Sequence, residues 1–154
     1  MTRAAEALIL RTVALGIGLD IVDVADVAES VVRFGDRYLQ RIFTASELAA
    51  CANGSDARRL AAHFAAKEAT LKTLRVHDEG IDWRSVEIRL AAEGQGAVEL
   101  SGAAAEIARV AGIVTFAVSV SATRRHATAL VVAESADESG GEVTGRGWKI
   151  ASGT

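Results

Sequence analysis

The sequence predicts an α+β fold, a small antiparallel sheet packed on one long helix. Three observations predict it. A segment without Gly or Pro, from about Asp56 to about Leu74, is rich in Ala and long enough for about five helical turns. Several shorter segments alternate apolar and small or polar residues, as strands do, and are separated by turn residues. Finally, 154 residues of which 50% are hydrophobic suit a single domain with a substantial core and argue against disorder.

The elements follow in order. Leu15, Ile17, Leu19 and Ile21 share one face of a strand over about 13–22, with Gly16, Gly18, Asp20 and Val22 on the other. Val24, Val27, Val31 and Val32 predict a helix near 24–33. Short helices are expected at 36–41 and 45–52, the second opened by Thr44 and Glu47 in a capping-box pattern. Asn53-Gly54-Ser55 breaks the chain before the long helix. Strands near 83–92 and 96–101 flank Glu93-Gly94-Gln95-Gly96 as a hairpin. Ala103 to Val110 reads as a helix stopped by Gly112. Val114 to Thr123 and His126 to Glu134 form a second hairpin around Arg124-Arg125. The expected organisation is an N-terminal extension over 1–12, one domain over 13–134 and a Gly/Ser/Glu/Asp-rich tail over 135–154 in which Trp148 and Ile150 stand out.

Composition excludes several classes. A formal net charge of −3 gives no basic excess for nucleic acid. The single cysteine, Cys51, excludes an intrachain disulfide, makes no zinc pattern and reads as a small apolar residue near a helix end. Glu6 and Arg11 interrupt the first apolar run and the next contains Asp20, so no membrane span is expected and a cytoplasmic protein is the consistent choice.

Two acidic residues carry the chemistry. Leu60, Phe64, Leu71 and Leu74 form one stripe of the long helix, and Lys67 and Glu68 point into it. A carboxylate there needs a cation, a metal or hydrogen bonds. A buried Lys67–Glu68 arrangement or a solvated helix edge is the structural reading. The functional one pairs Glu68 with Asp20, which stands beside two glycines where a ligand or another backbone can approach closely. Two carboxylates with waters and a substrate phosphate are a common way to hold Mg²⁺. Arg33, Arg37 and Arg41 recur at i, i+4 and i+8, as a solvated helix face or as a basic patch that meets an acidic partner.

Gly16-Ile17-Gly18-Leu19-Asp20-Ile21-Val22, then Arg41-Ile42-Phe43-Thr44-Ala45-Ser46-Glu47-Leu48, then Phe64-Ala65-Ala66-Lys67-Glu68-Ala69 with Lys72, together resemble the small holo-acyl-carrier-protein synthases, the single-repeat 4′-phosphopantetheinyl transferases. The resemblance runs from about Gly16 to about Glu134. It implies the 4′-phosphopantetheinyl transferase fold, assembled as a homotrimer with sites between subunits. It also implies transfer of 4′-phosphopantetheine from coenzyme A to a serine of an apo acyl carrier protein of fatty acid or polyketide synthesis, releasing 3′,5′-ADP. Asp20 and Glu68 would then hold Mg²⁺, with Lys72 at the diphosphate or handling the serine proton. Lys67, Lys72, Ser119 and Arg124 would contact coenzyme A.

The chain departs from that pattern in places. Ala117 and Ala122 stand where the family usually has two histidines of the coenzyme A pocket. Ala25-Asp26 replaces an expected arginine that helps dock the acidic carrier. His63 stands for an arginine, and Gly94-Gln95-Gly96 lies near the place of a Gly-Lys-Pro turn. The reading taken is an active transferase serving a particular carrier. The alternative is a degenerate homologue acting as a non-catalytic binding or oligomeric module. An unrelated metal-dependent phosphohydrolase using Asp20 and Glu68 is a third.

Overall fold

The computed structural model describes residues 15–76 and 80–135. The expected extension over 1–12 and nearly all of the 135–154 tail, with Trp148 and Ile150, lie outside the described residues.

The chain begins with β1 (Leu15–Asp23), whose end caps a helix: the Asp23 carboxylate accepts from the Ala25 amide and opens α1 (Val24–Phe34). Gly35, at φ 54° and ψ −138°, ends α1 and turns the chain into α2 (Asp36–Ile42). The arginine run is therefore split: Arg33 belongs to α1, and Arg37 and Arg41 to α2, so no single helix face carries all three. Val32 also departs from the expected apolar stripe. It is 87% exposed, while Val27 enters the core.

Thr44 caps α3 (Ala45–Ala50) in the expected box. A 3₁₀ turn at Ala52–Gly54 leads to α4 (Ala57–Thr73), capped by Asp56. A second 3₁₀ turn at Trp83–Ser85 precedes β2 (Val86–Leu90), so the strand expected from 83 starts three residues later. There follow β3 (Gln95–Leu100), α5 (Gly102–Val110), β4 (Ile113–Ala122) and β5 (His126–Ser135).

The five strands form one antiparallel sheet in the order β1-β5-β4-β3-β2. Its register aligns Leu19 with Leu130 and Leu130 with Ser119, and Asp20 with Ala129 and Ala129 with Val120. The helix α4 covers the second of these rows. It is buried over most of its surface, including Leu60, Ala61, Ala65, Ala66, Ala69 and Leu71. Small side chains let it lie close on the sheet.

Gly18 sets that closeness. A Cβ there would fall 1.8 Å from the Ala69 carbonyl oxygen. The space that the sequence left beside Asp20 is thus filled by the backbone of α4. Helix packing on the Gly-Asp face turns the apolar face of β1 outward: Ile17, Leu19 and Ile21 are 65%, 61% and 68% exposed, and Leu130 beside them is exposed too. Among the described residues no helix is long and apolar enough to cross a membrane.

Cys51 closes α3 and is fully buried. Burial, with Asp56 nearby, pushes its thiol up to about 12, which suits packing and not nucleophilic attack.

Candidate active site

Asp20 lies on the helix-covered row of β1, and Glu68 lies on α4 where that helix crosses the row. Both line one open pocket of about 390 Å³. Its other walls include Asp23 and Asp26 at the start of α1, Tyr38 of α2 and Phe64 of α4. The two acids that the sequence reading paired are thus brought to the lining of the same pocket.

Lys72 joins them from one turn further along α4. Its ammonium lies 2.8 Å from Asp20 Oδ1 and donates to the Leu19 carbonyl at 2.9 Å. Asp20 is also fixed through its backbone, since Thr128 Oγ1 donates to its carbonyl at 2.8 Å. Four carboxylates, those of Asp20, Asp23, Asp26 and Glu68, thus line the pocket, and the Lys72 ammonium is held beside it on the strand that carries the first of them.

Lys67 behaves differently, and its expected contact with coenzyme A is corrected here. Its side chain is fully buried. The ammonium lies 2.9 Å from Glu47 Oε2, donates to the Trp83 carbonyl at 2.9 Å and also donates to the Val86 carbonyl. All three of its protons have acceptors, leaving none for a ligand. Its partner is Glu47 rather than the adjacent Glu68. Glu47 in turn accepts from the Thr44 amide at 2.8 Å and the Ile88 amide at 2.8 Å. Burial raises the Glu47 pKa and lowers that of Lys67, each against the pull of the other charge. The filled donor and acceptor sites are those of an ion pair. It ties α3, α4 and β2 together, one residue from Glu68.

Ser119 is exposed on β4, on the outward face in line with Leu19 and Leu130. The sheet separates it from Asp20 and Glu68 within one chain. Ala117 is exposed on the same face. Arg124 is exposed in the β4–β5 turn, next to Arg125, whose carbonyl accepts from Val24 at the start of α1. That turn therefore sits beside the helix bordering the carboxylate pocket.

A second cavity, of about 540 Å³, opens further along α4 toward its N-terminus. Arg58, Arg59 and His63 line it from the helix, Gly94 from the β2–β3 turn, and Ser121 and Ala122 from the end of β4. The sequence reading singled out neither Arg58 nor Arg59. The available signal was a guanidinium doublet in the first turn of the helix carrying Glu68, ten residues earlier and about 15 Å along its axis. His63 is buried, and its Nδ1 lacks a hydrogen-bond partner.

The donor chemistry of the first pocket can be matched to a metal. Carboxylates are hard oxygen donors, suited to Mg²⁺ rather than to a soft ion. Among the described residues no group of three or more His, Cys, Asp or Glu side chains forms a metal cage. Asp20 and Glu68, which both line the pocket, supply oxygen donors of the type that such an ion takes.

Comparison with known proteins bears on this geometry. The family model of the 4′-phosphopantetheinyl transferase superfamily matches residues 16–131. A holo-[acyl-carrier-protein] synthase of Koribacter versatilis is 39% identical over 122 residues, covering 78% of this chain and 98% of the relative. One from Rhodopirellula baltica is 35% identical over 119 residues, covering 77% and 95%. Among solved structures, the holo-[acyl-carrier-protein] synthase of Neisseria meningitidis superposes with a TM-score of 0.69 at 31% identity, covering 77% of this chain and 97% of that one. The Helicobacter pylori enzyme in complex with coenzyme A gives 0.66 at 29% identity, covering 76% and 98%.

Proposed function

Because the chain belongs to the 4′-phosphopantetheinyl transferase superfamily, we propose that it transfers 4′-phosphopantetheine from coenzyme A to a serine of an apo acyl carrier protein, giving holo carrier and 3′,5′-ADP. The observation that carries the reading is the shared pocket of Asp20 and Glu68, with Lys72 fixed on Asp20.

In the reaction the carrier serine oxygen bonds to the phosphorus bearing the pantetheine arm. The bond from that phosphorus to the 3′,5′-ADP oxygen breaks, and the serine proton passes to a base. Catalysis of such a transfer is mostly positioning and charge stabilisation. Asp20 and Glu68 would hold Mg²⁺, which when bound neutralises the donor diphosphate. Lys72 adds a fixed positive charge beside Asp20. The cavity bordered by Arg58 and Arg59 supplies two further guanidiniums, suited to the phosphorylated adenosine end of the donor. Lys67 serves by holding α4 in place.

The outward row of Ile17, Leu19, Ile21 and Leu130 supports the homotrimer that the resemblance implies. In such an assembly Ser119, on the same face, would face a neighbouring subunit and could reach a donor there. Mass measurement by light scattering checks the state, and Leu19→Asp is expected to disperse it. A cytoplasmic location belongs to the same reading and is checked by cell fractionation.

The deciding experiment incubates the protein with Mg²⁺, coenzyme A and a panel of apo carrier proteins, and weighs the carriers. A gain of one phosphopantetheine, lost in Glu68→Ala, supports transfer; no gain with any carrier removes it. The second reading, a non-catalytic module, draws on Ala122 lining the Arg58–Arg59 cavity where a larger polar side chain was expected. Calorimetric titration with coenzyme A separates the two, since tight Mg²⁺-dependent binding rejects the module.

A further inference from the structure

Resting on the transferase reading, we infer that His63 contacts the phosphomonoester of coenzyme A, and that the ring takes up one proton from solvent when this contact forms.

His63 is 3% exposed, and among the described residues its Nδ1 is the one buried side-chain nitrogen or oxygen that lacks a hydrogen-bond partner. A polar atom left so costs free energy in the folded chain, which points to a partner that arrives with a ligand.

The ring stands where such a ligand would lie. It lines the cavity of about 540 Å³ that Arg58 and Arg59 border from the first turn of α4. Arg59 and His63 are four residues apart and share a helix face. The Arg59 guanidinium is directed by the Ala50 carbonyl at 2.8 Å and by Asp56 at 3.5 Å. Ser121 adds a hydroxyl, and Glu93 of the β2–β3 turn is the acid that opposes an anion there. Two guanidiniums and an imidazole around one cavity suit a phosphate group.

The proton count follows from what surrounds the ring. Glu47 Oε1 of α3 lies 3.9 Å from Nδ1, and the Ile88 carbonyl of β2 faces the ring as a further acceptor. Glu87 of β2 also favours a charge on the ring, whereas Lys67 and Arg59 of α4 oppose it and burial opposes it most. The ring is therefore neutral at pH 7, with a single N–H for its two nitrogens. Glu47 and Ile88 draw that proton to their side, and the other nitrogen keeps a lone pair. A phosphomonoester past its second ionisation offers only lone pairs as well. The contact closes with one added proton. The guanidiniums hold the phosphate as the dianion, so the ring carries that proton, between the phosphate and Glu47.

The test uses the full chain with Mg²⁺ and titrates coenzyme A by calorimetry from about pH 6.5 to about 8, in two buffers of different ionisation enthalpy. The difference in heat between the buffers counts protons. Wild type is expected to take up close to one proton at pH 7, with a Kd that rises about tenfold per pH unit. Dephospho-coenzyme A, which lacks the monoester, is expected to bind without uptake. His63→Arg, whose charge is permanent, is expected to bind coenzyme A with a Kd that is flat over this range. No uptake in wild type, uptake that persists in His63→Arg or with dephospho-coenzyme A, or no binding of coenzyme A at all would overturn the proton link. Imidazole nitrogen NMR shifts of the wild-type chain test it without a variant, since the sequence has three histidines to assign. The His63 signals should move from neutral toward cationic as coenzyme A saturates the protein at pH 7; a ring that stays neutral would overturn the link too. If carriers gain phosphopantetheine while the wild-type Kd is flat with pH, the proton link falls and the transferase reading stands. If His63-dependent uptake occurs while no carrier gains mass, the transferase reading falls and the link stands.

Discussion

The Lys67 ammonium sits 2.9 Å from Glu47 Oε2 in a fully buried ion pair, one residue before Glu68. Glu47 is also the N3 residue of the α3 capping box and the acceptor for the Ile88 amide, so a single carboxylate orients α3 and β2 against α4. This arrangement fixes the roll of α4 that brings Glu68 to the pocket. Removing one partner strands the other charge away from water, which costs about 3–5 kcal/mol. Lys67→Ala and Glu47→Ala are therefore each expected to lose that much in urea unfolding. The double variant Lys67→Met with Glu47→Gln is expected to recover most of it. A single substitution costing under about 1 kcal/mol would contradict the ionised, structural role.

The element order was legible because it rests on local pattern: alternation in β1, capping at Thr44, uninterrupted helix formers in α4. The role of Lys67 was not legible, because its partner lies 20 residues away and helical spacing pointed equally to the ligand side. Nor was the orientation of β1. Its large side chains form the more hydrophobic face, yet α4 packs on the glycine face, since only there can a helix backbone come within contact of the strand. The arginine run looked continuous because a spacing of four residues survives on paper across Gly35, whereas the left-handed φ at that residue ends the helix. Arg58 and Arg59 carried no periodic signal, and only the folded β2–β3 turn and β4 end make them a cavity wall.

Gly18 gives a sharp expectation about packing. An alanine Cβ would sit 1.8 Å from Ala69 O and 2.8 Å from Ala69 C, both backbone atoms that cannot rotate aside. Gly18→Ala must push α4 off β1 and disturb the Asp20–Glu68 wall. At Gly16 the nearest backbone oxygen would be 3.2 Å away, a strain that a small shift relieves. Gly18→Ala is thus expected to lose about 3 kcal/mol or fail to fold, and Gly16→Ala to lose about 1 kcal/mol or less, compared by thermal melts. Equal effects would show that α4 does not lie this close.

His63 makes stability depend on acidity. Burial, with the Lys67 charge adding to it, lowers its pKa from 6.5 to about 4. Above 6.5 it is neutral in both the folded and unfolded chain. As pH falls below 6.5 the unfolded chain takes up a proton that the native site refuses, so stability declines until the folded pKa is reached near 4. The full decline is roughly 3 kcal/mol. Urea unfolding between pH 7 and 4 should show it, and His63→Leu should remove this component of the slope while leaving stability at pH 7 little changed. An identical slope in the variant would mean that His63 is protonated in the folded protein.

Lys72 and Asp20 separate catalysis from folding. Their contact of 2.8 Å joins an ammonium that is half-exposed to a carboxylate at the pocket wall. An ion pair so placed contributes about 1 kcal/mol or less to stability. A fixed charge at a phosphoryl-transfer site, by contrast, supports about a hundredfold or more in rate. Lys72→Met is accordingly expected to melt close to wild type while losing about two orders of magnitude in kcat for phosphopantetheine transfer. Lys72→Arg should retain part of the rate, because the charge persists in a different geometry. Asp20→Asn should raise the Mg²⁺ concentration required for half-maximal rate, whereas Lys72→Met should shift it little or lower it, since Asp20 then has no ammonium competing for its oxygen. A Lys72→Met enzyme with wild-type kcat, or an Asp20→Asn enzyme with an unaltered Mg²⁺ requirement, would show that this pair is structural only.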